Sequence, residues 1–209
     1  MRKEILTQYM SYVNEHGKQP ASVFKFCKEF EINESEFYDE FADFSGIESA
    51  VLSDVWNESI STLQVQSFYS ECSDSDKLLS VMYAYFESLK QHRSFLLLRF
   101  KDWKNPKEKM DAFKELKKQV FLYLNTLKLS ETANTGVGMV DKTLEKGSNA
   151  ALFSNLLFVF HYWLNDKSKG FEKTDALIEK LFLLSFELLG SKSLKKAFDL
   201  GKFLLADLK

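Results

Sequence analysis

Side chains able to do catalytic chemistry are few in this sequence and badly spaced for it. The three histidines, His16, His92 and His161, lie far apart. His16 closes a helix-like stretch, His92 is expected at the surface beside Arg93, and His161 falls in an apolar helix, where it reads as a core histidine. Cys27 and Cys72 are too few and too isolated for a disulfide framework. Cys27 falls on the apolar side of a short helix, as a small core residue does. No metal-ligand spacing, no nucleophile beside a base and no phosphate-cradling glycine loop occurs, and Gly136-Val137-Gly138 is too short to count. The expectation is a protein that is not an enzyme and that uses no cofactor and no metal.

Two other concentrations of side chains carry binding chemistry. The first is acidic: Glu29, Glu31, Glu34, Glu36, Asp39, Glu40, Asp43 and Glu48 follow one another with no Lys or Arg from Glu29 to Glu48. The second is aromatic, in a chain with 20 Phe residues. Such side chains fill a helical core or line an apolar cavity, and composition does not choose between the two. The candidate lining residues of a ligand pocket are Met82, Tyr85, Phe86, Phe100, Trp103, Phe113, Val120, Tyr123, Phe153, Phe160 and Trp163.

The elements that must position these residues are helices. A chain of 209 residues, 45% hydrophobic with only two prolines and eight glycines, favours long helices over strands and turns. Ile5, Leu6, Tyr9, Met10 and Val13 recur at helical spacing, and Gly17 gives a stop. Val23, Phe24, Phe26, Cys27 and Phe30 share one face of a short second helix. Phe37, Tyr38 and Phe41 share one face of a third, which Asn33 caps. Phe44 and Ile47 complete the core of this unit, whose outline is a helix-turn-helix. A longer helix is expected from Gly46 to about Tyr69, then helices over Leu78–Leu89, Phe95–Trp103, a run starting at Asn105-Pro106 and reaching Leu127, Asp141–Leu164 and Glu172–Leu189. Ser130–Gly138 is the clearest loop. Asp141–Leu164 turns apolar on nearly every side from Ala151, so burial on nearly every side is expected. A last helix places Leu194, Ala197, Phe198, Leu204, Leu205 and Leu208 opposite Lys195, Lys196 and Lys202. It suits a dimer seam, or an anionic membrane surface, although three lysines fall short of a strong polybasic signal.

The net charge of -2 hides a division. Before Lys77 there are five basic residues against fifteen acidic ones; from Lys77 onward there are twenty-three against fifteen. The two parts are therefore expected to face different partners. Met1–Met10 holds no apolar run of signal-peptide length, and Ala151–Leu164 is short for a membrane span. The expected location is the cytoplasm.

Ile5–Leu52 resembles, without a gap, the DNA-binding domain of the TetR family of bacterial transcription regulators. The resemblance rests on the Gly17 stop, Ala21-Ser22-Val23 entering the second helix, Ile32-Asn33 at the turn, Phe37, Tyr38 and Phe41 in the recognition helix, and Ile47 opening the fourth helix. It implies an all-α fold: a helix-turn-helix domain over residues 1–47 and a helical ligand-binding and dimerisation domain over 48–209. It also implies a homodimer joined through its C-terminal helices, with an apolar pocket between the middle helices. The departures fall where the family touches DNA. Where it usually carries basic, small or hydroxyl, and Tyr or His side chains, this chain has Glu34, Ser35, Glu36, Asp39 and Glu40, with Phe44 in place of a Lys. Together with Tyr38, these make up the recognition-helix face.

DNA is a poor match for that face. A duplex carries a phosphate charge about every 1.7 Å and is bound largely through cations that displace counterions. Physiological salt screens over about 8 Å, too far to protect carboxylates inside a groove. A single Glu can accept from a cytosine amino group, but a whole acidic face cannot be used that way. The first reading is a homodimer that binds an apolar or lipid-like small molecule, with ordinary operator binding weakened or lost. This is similar to TetR-fold proteins that carry an isoprenoid lipid. The alternative is a working ligand-responsive regulator that touches DNA through Lys3, Lys18, Lys25 or Lys28. The acidic face also suits a basic protein partner.

Overall fold

The computed structural model describes residues 1–102, 110–129 and 138–190, with side chains in the last segment from 146 to 189. Among these residues every regular element is a helix. Trp103, the start at Asn105-Pro106, the loop 130–137 and the lysine-bearing last helix lie outside the described residues.

The N-terminal unit is built from α1 (Arg2–His16), α2 (Val23–Glu29) and α3 (Glu34–Glu40). Gly17 ends α1 with φ of 68°, a left-handed conformation in which a glycine carries no Cβ penalty, and its N–H donates to Val13 O at 2.9 Å. Ser22 caps α2 by accepting from Lys25 N at 3.2 Å, and Asn33 caps α3 by accepting from Ser35 N at 3.0 Å. Between the two helices Glu31 holds φ of 56°, a strained place for a residue with a side chain. Tyr9, Phe26, Phe37 and Phe44 form the core of the unit: Tyr9 stacks on Phe44 at 5.1 Å, and Phe37 meets Phe26 at 6.0 Å and Phe44 at 5.9 Å. Phe24 departs from the expected apolar face of α2 and is 61% exposed. In a helix of only two turns, one side faces the core, and Phe26 and Cys27 occupy it.

α4 (Phe44–Gln64) starts inside this core and runs the length of the body, stopping before the expected Tyr69. A separate short helix, α5 (Ser67–Glu71), takes over there. α6 (Asp74–Leu89), α7 (Arg93–Phe100), α8 (Lys114–Leu124), α9 (Gly138–Asn165) and α10 (Glu172–Gly190) complete the described body. α4 packs chiefly against α6 and α8, α9 against α10, α8 and α7, and α10 against α6. One hydrophobic cluster runs from Ile5 to Leu189, joining the N-terminal unit and the body.

The end of α9 is locked. Arg93 donates to Trp163 O at 2.8 Å and Asp166 O at 3.2 Å, and its guanidinium lies 4.4 Å from the ring centres of both Trp163 and Phe171. A cation is thus placed where the helix's last carbonyls need a donor, between two aromatic faces. Next to it Asp166, directly after α9, ties the connecting turn to the first turn of α10, accepting from the N–H and hydroxyl of Ser168 (2.8 and 2.7 Å) and of Thr174 (3.0 and 2.7 Å).

Burial alone would raise the Asp166 carboxyl, but these four donors outweigh it and hold it at about 2, below the ordinary 3.8. A depressed acid stabilises the fold above its unfolded value and stops doing so as pH falls through its folded one. Asp166→Asn is therefore expected to cost about 1–3 kcal/mol near neutrality. In denaturation series taken from pH 7 down to 2, the gap between wild type and variant should close between about pH 4 and 2.

Candidate functional site

Ten of the eleven expected pocket residues are described, and all ten are buried: Met82, Tyr85, Phe86, Phe100, Phe113, Val120, Tyr123, Phe153, Phe160 and Trp163. α6 supplies the first three, α7 Phe100, α8 Val120 and Tyr123, and α9 the last three; Phe113 directly precedes α8. The rings meet at tilted or edge-to-face angles. Phe113 lies 5.4 Å from Phe100 and 5.3 Å from Phe160, and Phe86 lies 6.1 Å from Trp163. Spacing alone missed Trp56, the α4 residue that ties Tyr85 (5.3 Å) to Tyr123 (5.9 Å). It lies among the buried residues of a long helix, where spacing marks it as core and no more. Two open surface clefts, about 610 Å³ beside Asp43 and Lys118 and about 320 Å³ beside Tyr162 and Lys173, lie outside this cluster.

The polar atoms inside the cluster are few. Tyr85 Oη donates to Leu52 O at 3.4 Å, and the hydroxyls of Tyr69 and Tyr123 share a hydrogen bond of 2.6 Å. Burial, reinforced for Tyr123 by the Tyr69 hydrogen bond, pushes both Tyr85 and Tyr123 far above the ordinary phenol range. They stay neutral. The indole nitrogens of Trp56 and Trp163 are buried without a hydrogen-bond partner among the described residues.

On α3, Ser35, Glu36, Asp39, Glu40 and Tyr38 (54%) are exposed and Glu34 is half-buried, so these residues share an outer surface. Phe44 does not join them. It is the first residue of α4 and is buried against Tyr9, Phe26 and Phe37, because the chain turns back into the core after Phe41. Lys3, Lys18, Lys25 and Lys28 are all exposed.

The histidines separate as well. His16 ends α1 at the surface. Burial pulls His92 below its ordinary value, against the opposing charge of Glu58, so it is half-buried, not on the surface as expected. His161 is exposed, not core. The expectation that the apolar part of α9 is buried all round also fails within one chain. Phe158 is 55% exposed, with Tyr162 beside it on the same face, and α10 exposes Leu183, Leu184 and Leu188. Cys27 is buried as expected, and burial raises its thiol above the ordinary value. No group of three or more His, Cys, Asp or Glu among the described residues is placed to hold a metal, and no described helix is long and apolar enough to cross a membrane.

The N-terminal unit and the body meet at a buried charge that sequence spacing did not single out. Glu48, 1% exposed on α4, accepts from Tyr9 Oη of α1 at 2.9 Å and from Arg99 Nε of α7. Arg99 also donates to Gln19 Oε1 at 2.9 Å. Arg2 adds a second tie, a two-pronged pair with Asp54 at 2.6 and 3.0 Å.

Residues 77–204, more than half of the chain, match the family model described as "Tetracyclin repressor-like, C-terminal domain". No curated protein matches the chain.

Removing one partner of the junction pair leaves a charge buried in apolar surroundings. Arg99→Met is therefore expected to cost about 3–5 kcal/mol. The double variant Glu48→Met with Arg99→Met should recover most of that loss, as read by urea denaturation of the four proteins of the cycle.

Proposed function

The chain belongs to the TetR family of regulators, and on that premise we propose that it is a homodimeric ligand-binding member of the family whose grip on ordinary operator DNA is weak or lost. The domains are proposed as 1–47, the helix-turn-helix, and 48–209, the ligand-binding and dimerisation part. The cytoplasm is the proposed compartment. The ligand is an apolar or lipid-like small molecule, taken up among the aromatic side chains of α6, α7, α8 and α9. No catalytic role is assigned to any residue.

The observation that carries this reading is the outer face of α3. Its seven residues, Glu34–Glu40, include four carboxylates and no cation. A helix of this charge meets a polyanion at a disadvantage that counterion release cannot offset, since release needs Lys or Arg at the phosphates. The four exposed lysines of the N-terminal unit support the second reading, a working regulator that touches DNA away from its acidic helix. Salt dependence separates the two. Under the first reading random duplex is bound weakly even at low salt, and under the second binding is strong there and falls steeply as salt rises.

The apolar side chains exposed on α9 and α10 support the dimer. Phe158, Leu183, Leu184 (53% exposed) and Leu188 are the kind of surface a second copy covers.

Replacing Glu34, Glu36, Asp39 and Glu40 together by Lys is expected to create salt-sensitive, sequence-independent DNA binding that the parent protein lacks, read by fluorescence anisotropy with a random duplex. Native mass spectrometry of protein purified from cells should show a dimer that retains a bound small molecule, and a dimer that is always empty would overturn the ligand reading. Leu184→Glu with Leu188→Glu should yield a folded monomer by light scattering, and an unchanged dimer would move the interface elsewhere.

A further inference from the structure

Trp56 is fully buried on α4, and its indole N–H has no acceptor among the described residues. An indole nitrogen can only donate, and a buried donor left unpaired is rare in folded proteins. The Tyr69 and Tyr123 hydroxyls share a single hydrogen bond, which uses one of their two protons and leaves the other to be given elsewhere. The Tyr85 hydroxyl, whose ring is 5.3 Å from Trp56, reaches Leu52 O only at 3.4 Å. In this corner between α4, α5, α6 and α8 the hydroxyls are engaged with one another or with the backbone, and the Trp56 indole N–H is left without a partner among the described residues.

The carboxylate that acts on this corner is already paired with a lysine. The charged group acting on Tyr123 is the Asp74 carboxylate, held by Lys77 at 3.0 Å and by the Lys128 N–H at 2.8 Å. Nearby carboxylate charge disfavours an anionic guest, and the phenols beside it remain protonated. A cationic guest would find that carboxylate already paired with Lys77.

Resting on the ligand reading above, we propose that Trp56 is the polar anchor of the ligand site and that the ligand is a neutral apolar molecule carrying an acceptor oxygen, a ketone or ester carbonyl, which accepts from the Trp56 indole N–H. The aromatic rings around it bind the apolar body, and the single N–H fixes its orientation. Trp163, the other indole without a partner among the described residues, is clamped between Arg93 and the end of α9 and provides an internal control.

Three probes of one shape test this: 2-acetylnaphthalene, 2-ethylnaphthalene and 2-naphthoate, titrated into full-length protein with ¹⁵N-labelled indoles. The ketone should bind at least tenfold tighter than the hydrocarbon and tighter than the carboxylate. It should move the Trp56 indole proton downfield while leaving that of Trp163 in place. Trp56→Phe should lose about tenfold in affinity for the ketone and keep its affinity for the hydrocarbon, with circular dichroism confirming the fold. Equal binding of ketone and hydrocarbon with an unmoved Trp56 resonance would overturn the anchor and leave the apolar-ligand reading intact. A water that stays on the Trp56 N–H after the ketone binds would overturn it too. Binding of none of the three probes also overturns it, and the native mass spectrum then decides the ligand reading independently.

Discussion

The carboxylate of Glu48 sets the condition the rest of the molecule meets. It is buried at the start of α4, where an unpaired charge would be intolerable, and its two partners come from opposite directions: Tyr9 from the N-terminal unit and Arg99 from the body. That pairing fixes α1, α4 and α7 relative to one another at a single point. Tyr9 adds packing to the same junction, stacking on Phe44 and meeting Phe95 of α7 at 5.9 Å. α4 then carries the constraint outward, since it begins among the rings of the N-terminal unit and reaches Trp56 beside Tyr85 and Tyr123. A small N-terminal unit with seven-residue helices gains its definition from this attachment, because α2 and α3 are too short to be stable alone.

Within that unit, shape and surface chemistry are specified by different residues. Phe26, Phe37, Phe41 and Phe44 face inward and set how α2, α3 and α4 cross. Glu36, Asp39 and Glu40 face outward and make no contribution to that packing. A helix-turn-helix can therefore keep its geometry while the charge on its outer face changes sign. Family membership is shown by the body, residues 77–204; affinity for a polyanion depends on outward charges such as those of α3. The second cannot be inferred from the first.

The same distinction explains what the sequence made legible. Capping residues act locally, so Gly17 and Asn33 could be read from one turn of chain and appear where expected. Helical periodicity locates α1, α6 and α10 for the same reason; of the three residues it places on one face of the third helix, Phe37 and Phe41 are buried and Tyr38 is exposed. Periodicity does not report which side of a short, largely apolar helix wins the core. Phe24 is therefore expected inside and is exposed, while Phe44 is buried as its place in the helical spacing requires, not on the recognition face that the resemblance implies. His161 was misread because an apolar helix was taken to be buried all round. Glu48 and Arg99 are 51 positions apart, as are many charged pairs in this chain, and nothing local marks them as partners. The aromatic cluster was legible as a set of residues, but its unpaired indole was not, since an unpaired N–H becomes visible only when every neighbour is in place.

α9 shows how an accurate local reading can give an incomplete answer. Its apolar residues point in more directions than one chain can cover: Leu152, Leu156, Val159 and Trp163 are buried against the body, while Phe158 and Tyr162 face outward. α10 repeats the arrangement, with Ile178 and Phe182 inside and Leu183, Leu184 and Leu188 outside. The two helices pack on each other, and both carry exposed apolar side chains. Isolated exposed apolar residues are ordinary on protein surfaces, whereas a contiguous group on paired helices is what a symmetric contact requires. Under the proposed dimer, the all-round apolar character of α9 is satisfied by two chains together. The pattern then states how much burial the helix needs, and leaves open which molecule supplies it.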